Sequence, residues 1–288
     1  NLPKISGYNN VYANMGETKN KGIELTVNTK NIVTRDFTWS SNIVFSWNKN
    51  EIVDLYGDKQ SDTGNRWFIG HPIGVIYDYV KVGIWQKSEI DAGEQKNWDP
   101  IAKAGDVKLA DLNNDHQITD ADRKVIGQTT PKWIGGITNT ITYKDLSLSF
   151  FIQTTQGITR NNALIAMAGD EMGRRNTTTE IGYWTEDNKS NEWRSLRKDS
   201  NPHGYGFSQN ASYTRLKDVT LSYSIPKTIT EAMHIGGLQL YVSGRNLLTW
   251  TDWIGWDPES TETQRGWDKY ENSYPMTKSY VFGINLTF

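Results

Sequence analysis

Oxygen-bearing side chains recur at alternate positions between residues 111 and 122, as in the twelve-residue loops that bind calcium. The five candidate ligands are Asp111, Asn113, Asp115, Gln117 and Asp122. His116 stands where such loops have glycine, and Asp122 has a shorter reach than the usual glutamate. Thr119 could instead cap a short helix over residues 120–126. The sequence therefore predicts either a calcium site in an insertion spanning residues 106–127 or a turn-rich loop that caps a helix without an ion.

Aromatic side chains crowd the last long connection of the chain. They include Trp253, Trp256, Trp267 and Tyr270. Such rings offer large rigid surfaces that stack on sugar faces or grip a peptide. The alternative is a girdle of aromatic residues at a membrane interface, which is favoured for Trp250 because it lies close to a strand end. We predict a ligand-binding cluster, with the girdle as the competing interpretation.

Motifs for catalysis are absent from the sequence. It has no Gly-x-Ser-x-Gly elbow, no His-Glu-x-x-His pair and no phosphate-binding Gly-x-x-x-x-Gly-Lys loop. Four His and no Cys argue against a multi-histidine or thiolate metal centre. A glycan hydrolase would need two carboxylates across a cleft, but the acidic pair Asp257 and Glu259 falls in a polar loop and is predicted to be solvated. We predict that the chain is not an enzyme.

The composition limits the classes of protein to which the chain can belong. Of its 288 residues only 36% are hydrophobic, and the mean hydropathy is -0.65, yet aromatic residues reach 12%. A net charge of -2 provides no basic field for nucleic acid. No apolar run is long enough for a transmembrane helix, and the first residues are not a secretory signal. A membrane-spanning part would therefore consist of strands, which leave a weaker trace because only every second residue faces lipid.

Hydrophobic and polar residues alternate in segments of about ten residues, the length that a tilted strand needs to cross a bilayer. The segments with this pattern are 23–27, 37–48, 133–143, 146–153, 213–224, 238–249 and 279–288, with 74–86 as a candidate eighth strand. Because side chains alternate between the two sides of a strand, each segment has one apolar and one polar face. We predict an all-β, antiparallel fold.

Short and long connections alternate between these segments. Residues 144–145 form a short connection, whereas 48–132, 154–212 and 249–278 are long. Outer-membrane barrels have short periplasmic turns and long extracellular loops. The pattern predicts part of a transmembrane β-barrel with long extracellular loops and a periplasmic C-terminus. The alternative is a soluble β-sandwich or propeller, although loops of dozens of residues are unusual in such domains.

The chain ends on an alternating aromatic strand. Gly283, Leu286 and Phe288 resemble the C-terminal signal that the outer-membrane assembly machinery reads, although Val281 replaces a residue that is often polar. An exposed apolar edge strand would promote aggregation of a soluble protein, whereas closure of a barrel covers that edge. We therefore predict that these residues form an assembly signal.

Short motifs along almost the whole chain resemble the SusC/RagA-type TonB-dependent transporters of Bacteroidetes outer membranes, and they occur in the order found in that family. The matching segments are NKGIEL (20–25), WNKNEI (47–52), GHPIG (70–74), GDVK (105–108), DLN (111–113), ITDADR (118–123), YTRLKDV (213–219) and VSGRNL (242–247). His116 departs from the glycine usual in the family.

The resemblance implies a barrel of about 22 strands closed by an internal plug. It also implies a SusD-like surface lipoprotein as partner, energy from the TonB complex, and import of oligosaccharides or oligopeptides through the outer-membrane lipid. On this basis residues 1–288 are the C-terminal part of a transporter whose plug and N-terminal strands lie outside this chain. The alternative function is a secreted, soluble, β-rich glycan-binding module with a calcium-stabilised loop.

Overall fold

The computed structural model of the chain describes residues 16–162, 165–166, 181–259 and 275–288. The strands are β1 (Gly16–Val33), β2 (Phe37–Leu55), β3 (Val75–Asp78), β4 (Lys81–Ile84), β5 (Val107–Leu109), β6 (Lys124–Gln128), β7 (Trp133–Tyr143), β8 (Leu146–Gln156), β9 (Thr159–Asn161), β10 (Ser208–Asn210), β11 (Tyr213–Ser224), β12 (Gly237–Thr251) and β13 (Ser279–Thr287). Helical segments include α1 (Lys87–Asp91), α2 (Lys227–Ala232) and 3-10 turns at Glu94–Asn97 and Asp120–Asp122. Among the described residues, no helix is long and apolar enough to cross a membrane.

Seven long strands form one antiparallel sheet in the order β1-β2-β7-β8-β11-β12-β13. Each strand pairs with the next long strand in the chain, so the sheet is a continuous meander. The predicted all-β antiparallel fold is therefore confirmed. The candidate eighth strand at 74–86 is wrong, because this segment forms β3 and β4, which pair with β6 and β5 in two separate ribbons.

The two faces of the sheet differ in chemistry along single rows of paired residues. One row crosses all seven strands through Ile32, Trp39, Ile141, Leu148, Leu221, Val242 and Phe282. The neighbouring row on the opposite face runs through Lys30, Ser40, Thr140, Ser149, Thr220, Ser243 and Val281. We call these sides the apolar face and the polar face. They arise from the two-residue period of strands.

No second layer of described residues covers the apolar face. Ile23 is 62% exposed and Phe282 is 81% exposed, although both are large aliphatic or aromatic side chains. A soluble sandwich would bury this face under another sheet about 10 Å away. Among the described strands, the ones outside the main sheet form only two-stranded ribbons. The described part of the chain therefore lacks the layer that a soluble β-sandwich requires.

The hydrophobic core lies outside the sheet, in the two longest connections. We call the described residues of 56–132 and 157–212 the loop lobe. Its core joins Ile84, Val107 and Leu109 of the first connection with Trp184 and Phe207 of the second. Burial of an aliphatic side chain of this size stabilises a fold by about 1.5–3 kcal/mol. The two connections are thus one packed unit at one end of the sheet.

Candidate functional site

A cleft of about 530 Å³ lies where the loop lobe meets the long-connection end of the sheet. Its lining comprises His71, Pro72, Val75, Val125, Ile126, Gly127, Gln128, Lys132, Gly157, Ile158, Thr159, Ser208, Gln209 and Asn210. These residues belong mainly to the β3–β6 ribbon, the β9–β10 ribbon and the chain at the ends of β7 and β8. The apolar lining residues supply a floor, and the polar ones supply side-chain hydrogen-bonding groups.

Lys132 immediately precedes β7, and its side chain lines the cleft. It alternates with Trp133 of the apolar face and therefore belongs to the polar face. Its aliphatic stem lies against Gly157, where an added Cβ atom would stand 2.6 Å from the lysine Cγ. Gly157 has a φ of +74°, a conformation that other residues rarely adopt. The stem of the exposed Lys132 side chain therefore packs against the backbone at Gly157.

Gln209 connects the cleft to the last long connection. Its Oε1 accepts hydrogen bonds from Asn162 Nδ2 at 3.1 Å and from the Ile254 N–H at 3.4 Å. Asn162 Nδ2 also donates to the Ile254 carbonyl at 2.5 Å. The β9–β10 ribbon thus holds the segment that carries Trp253 and Trp256. Nothing in the sequence marked Gln209 or Asn162, because their roles depend on partners that are distant in sequence.

Arg215 anchors the same segment to the polar face of the sheet. This β11 side chain is buried, and its guanidinium lies 2.7 Å from Asp257 and 2.9 Å from Glu259. Lys217 lies 2.8 Å from Glu259, and the Asp257 carboxylate accepts the Met276 N–H at 3.0 Å. The prediction that Asp257 and Glu259 are solvated is therefore wrong. The reason is that the positive charge of Arg215 attracts both carboxylates to the polar face of the sheet.

The predicted aromatic cluster is described only in part. Trp256 is 73% exposed, next to the buried Asp257, whereas Trp253 is half-buried. Trp267 and Tyr270 lie outside the described residues. Trp250 is exposed on the apolar face, in the row of Leu25 and Phe45, and so occupies a position that fits the girdle interpretation. The binding role of Trp253 and Trp256 stays a prediction.

The predicted calcium loop uses its carboxylates for backbone capping. Asp111 accepts the N–H groups of Asn114 at 2.7 Å and His116 at 2.9 Å. Asp122 is fully buried and accepts the N–H groups of Leu112 and Thr119, both at 2.8 Å. Within the ranges that the structure describes, no three His, Asp or Glu side chains form a group suited to a metal ion. Calcium coordination, for which Asn113, Asp115 and Gln117 were also candidates, stays a prediction.

The helix predicted at 120–126 is wrong. Thr119 does cap the segment, since its Oγ1 accepts the Ala121 N–H at 3.3 Å, but only a 3-10 turn follows. The chain is extended at Arg123 and continues as β6. Val125 and Ile126 are β-branched and favour strands, and pairing of β6 with β3 satisfies their backbone groups.

The predicted assembly signal lies on β13 and on Phe288, the residue that follows it. Tyr241 of β12 is paired with Gly283, and its ring occupies the space that a Cβ atom on Gly283 would need. Leu286 and Phe288 are exposed. Among the described strands, β13 pairs only with β12. The contact explains the glycine on packing grounds, and the recognition role of the three residues stays a prediction.

A charge cluster joins the two halves of the loop lobe. Asp106 of the first connection is buried and contacts Arg197 of the second. Asp199 also contacts Arg197, and it lies 2.7 Å from Lys103. Burial raises the pKa of Asp106 to about 6, against the opposing effect of its hydrogen bond from the Lys103 N–H and of the Arg197 charge. The protonation state of the Asp106 carboxyl is therefore sensitive to pH near neutrality.

Comparison with known proteins identifies several relatives, although no protein-family model matches the chain. Two TonB-dependent receptors of Formosa agariphila are 31% and 32% identical to it over its whole length, and it covers 30% and 31% of theirs. SusC of Bacteroides thetaiotaomicron, also named a TonB-dependent receptor, is 26% identical over 96% of the chain, which covers 27% of SusC. These relatives are named receptors, not enzymes.

Solved structures give the same result. The RagAB peptide transporter matches the whole chain with a TM-score of 0.72 and 27% identity, and the chain covers 31% of it. The RagAB peptide importer in its open-open state matches with a TM-score of 0.72 and 28% identity, and the chain covers 30% of it. The resemblance to SusC/RagA-type TonB-dependent transporters is confirmed, and the chain spans about 30% of the length of these relatives.

Proposed function

We propose that this chain, related along its whole length to SusC/RagA-type transporters, forms part of the barrel wall and the external loops of a TonB-dependent outer-membrane importer. The observation that carries the proposal is the row of apolar side chains from Ile32 to Phe282, which crosses every strand of the sheet. An apolar face of this extent is unfavourable in water but stable against acyl chains.

The dimensions of the sheet support a membrane-spanning wall. On the apolar face, Trp133 stands at the long-connection end of β7 and Tyr143 at its short-turn end. The eleven residues of this strand extend about 33 Å, at about 3.3 Å per step. A strand tilt of about 40° reduces this to about 25 Å along the bilayer normal, the height of the apolar band of outer-membrane barrels.

Polar residues that interrupt the apolar face satisfy one another. Asn139 Oδ1 accepts hydrogen bonds from Trp39 Nε1 at 2.9 Å and from Ser41 Oγ at 2.7 Å. The Ser41 Oγ in turn accepts one from Asn31 at 2.7 Å. Because lipid offers no hydrogen bonds, groups at this depth must be paired within the protein. This network therefore fits a lipid-facing wall.

Both outer edges of the sheet are available for closure. Among the described strands, β1 pairs only with β2, and β13 pairs only with β12. In our proposal, the part of the transporter outside this chain supplies the strands that close the barrel, the plug and the segment that contacts the TonB complex. A SusD-like lipoprotein covers the mouth formed by the loop lobe, which is extracellular. The short turns and the C-terminus are then periplasmic.

The cargo, an oligosaccharide or an oligopeptide, enters past the cleft and Trp256. Both lie at the end of the sheet from which the long connections emerge, and Gln209 in the cleft accepts the N–H of Ile254, two residues before Trp256. A site for an elongated polymer needs hydrogen-bonding groups beside an exposed aromatic ring. The cleft supplies the first, and Trp256 supplies the second.

Site-specific labelling of the full-length transporter in intact cells tests the proposed topology. A cysteine replaces Asp145 in the turn between β7 and β8, or Asn188 in the loop lobe. We expect a membrane-impermeant maleimide to label position 188 and not position 145, until the outer membrane is permeabilised. Recovery of the transporter in the aqueous fraction without detergent, or labelling of position 145 alone, would refute the proposal.

A further inference from the structure

The cleft beside Lys132 differs from the rest of the chain in its charge. The lining residues include a lysine and a histidine but no aspartate or glutamate. Asp and Glu outnumber Lys and Arg in the chain, at 33 against 31. An acid-free cleft is therefore not a consequence of the average composition.

Lys132 has no carboxylate partner in the part of the chain that the structure describes. Among the described residues no salt bridge involves it, whereas Lys103, Lys108 and Lys217 each lie within 2.8 Å of a carboxylate oxygen. Its stem lies against Gly157, and the exposed side chain lines the cleft. An unpaired lysine at this place supplies a point charge for an anionic ligand.

The other polar side chains of the cleft offer both donors and acceptors. Gln128 Nε2 and Ser208 Oγ already donate, to the Thr130 carbonyl at 2.9 Å and to Asn161 Oδ1 at 2.6 Å. Gln209 uses its Oε1 for two accepted hydrogen bonds, and its Nε2 has no partner among the described residues. Asn210 accepts the Ser212 N–H at 3.0 Å with its Oδ1 and donates to the Asp252 carboxylate at 3.4 Å with its Nδ2. The Thr159 hydroxyl, which can donate, has no partner within the described ranges. Lys132, Gln209 Nε2 and the Thr159 hydroxyl therefore supply a cation and unused donors to a ligand that presents acceptors.

We infer that this cleft binds a carboxylate group of the cargo, with Lys132 as its counter-ion and Gln209 as a hydrogen-bond donor. The inference rests on the proposed import function and adds a charge preference to it. The carboxylate has two chemical sources, an acidic sugar such as a uronic acid or the C-terminus of a peptide. The volume of about 530 Å³ admits a few residues of either polymer, and the apolar floor contacts their uncharged parts.

Calorimetric titration of the purified full-length transporter tests the inference with four probes. They are hexagalacturonate, neutral maltohexaose, hexaalanine with a free C-terminus and hexaalanine amide. We expect one acidic probe to bind at least about tenfold more tightly than its neutral counterpart, the effect of one charge-assisted contact. Preference within the sugar pair identifies an acidic glycan as the source, and preference within the peptide pair identifies a peptide C-terminus.

Two variants and one control assign the preference to the cleft. Lys132→Gln should abolish the difference between acidic and neutral probes. Gln209→Glu keeps an oxygen acceptor for Asn162 and Ile254 but adds a negative charge. We expect it to lower the affinity for the acidic probe by about tenfold. The control, Lys227→Gln, removes an exposed charge at the opposite end of the sheet and should change nothing. The melting temperature of each variant verifies folding.

Equal affinities within both pairs, no binding of either acidic probe, or a preference that survives Lys132→Gln would each overturn the inference. Uptake by cells separates this inference from the proposed function. If cells take up a neutral polymer through the transporter, the import proposal stands even when the charge preference fails. If the purified transporter binds acidic probes selectively but cells take up no polymer through it, the proposed function fails and the charge preference stands.

Discussion

The guanidinium of Arg215 on β11 lies 2.7 Å from the carboxylate of Asp257 in the connection after β12, and both side chains are buried. This contact holds the aromatic segment to the wall. Replacement of Arg215 by Gln removes the positive charge that lies against the buried Asp257 carboxylate, so we expect the 252–259 segment to lose about 3–5 kcal/mol of local stability. Hydrogen exchange at the Ile254 and Glu259 amides measures the loss.

The matched control for Arg215 is Arg245 on the neighbouring strand. Its side chain is 67% exposed and lies 3.4 Å from Asp218. Because water screens an exposed pair, Arg245→Gln should change stability by less than about 1 kcal/mol. Similar exchange rates in the two variants would show that the Arg215 pair does not anchor the segment.

Leu148 on β8 tests the orientation of the wall. It lies on the apolar face in the row that crosses all seven strands, and Ser149 lies next to it on the polar face. We expect Leu148→Arg to destabilise the full-length transporter in lipid, by less than the roughly 2–4 kcal/mol of an arginine at the bilayer midplane, because Leu148 lies two residues from the short-turn end of β8. Ser149→Arg should have a much smaller effect, as measured by guanidinium unfolding in vesicles. Equal losses would contradict the assignment of faces.

The pH dependence of the loop lobe follows from Asp106. Its folded pKa of about 6 exceeds the ordinary value of 3.8, so the folded state binds the proton more tightly than the unfolded state does. The stability contributed by this group therefore rises as pH falls from 7 to 5. Arg197, Lys103 and Asp199 face it, and Asp199 does not titrate in this window because its pKa is lowered to about 2.

Asp106→Asn isolates this effect. We expect protease resistance of the wild-type lobe to increase between pH 7 and pH 5 more than that of the variant, because the variant has no proton to gain at this position. Identical pH profiles for both proteins would mean that Asp106 keeps an ordinary pKa.

Asp122 tests the two interpretations of the candidate calcium loop. Its buried carboxylate accepts two backbone N–H groups, so Asp122→Ala should expose residues 111–122 to protease with or without an ion. In the wild type, faster cleavage after chelation would establish the calcium site that includes Asp111, Asn113 and Asp115. Equal cleavage rates would establish the ion-free turn.

The sheet could be predicted from the sequence because its determinants are local. Leu146, Leu148 and Phe150 alternate with serines and Phe151, and every strand of the wall must repeat such a pattern if one face meets a uniform environment. The packing of the long connections follows no periodic pattern. Ile84 and Trp184 are 100 residues apart and pack in one core, so their contact could not be predicted from the sequence.

The site was harder to predict for the same reason. Asp257 looked solvated because its neighbours are polar, yet its partner Arg215 is 42 residues away. Nothing in the sequence marks Lys132 or Gln209 as a ligand-binding residue, and only the fold brings them to one cleft. The error at 120–126 has a local cause, since a capping signal was followed by β-branched residues that pair with β3. Pairing with a neighbouring strand overrode the cap.

A membrane-spanning wall requires that the apolar face contacts acyl chains and the polar face contacts water. Nitroxide labels at Leu148→Cys and Ser149→Cys, in the full-length transporter reconstituted in lipid discs, test it most directly. The described structure predicts that the label at position 148 collides mainly with oxygen dissolved in the bilayer and the label at 149 with a water-soluble nickel chelate. Equal exposure of both labels to the chelate, or the reverse pattern, would contradict the account.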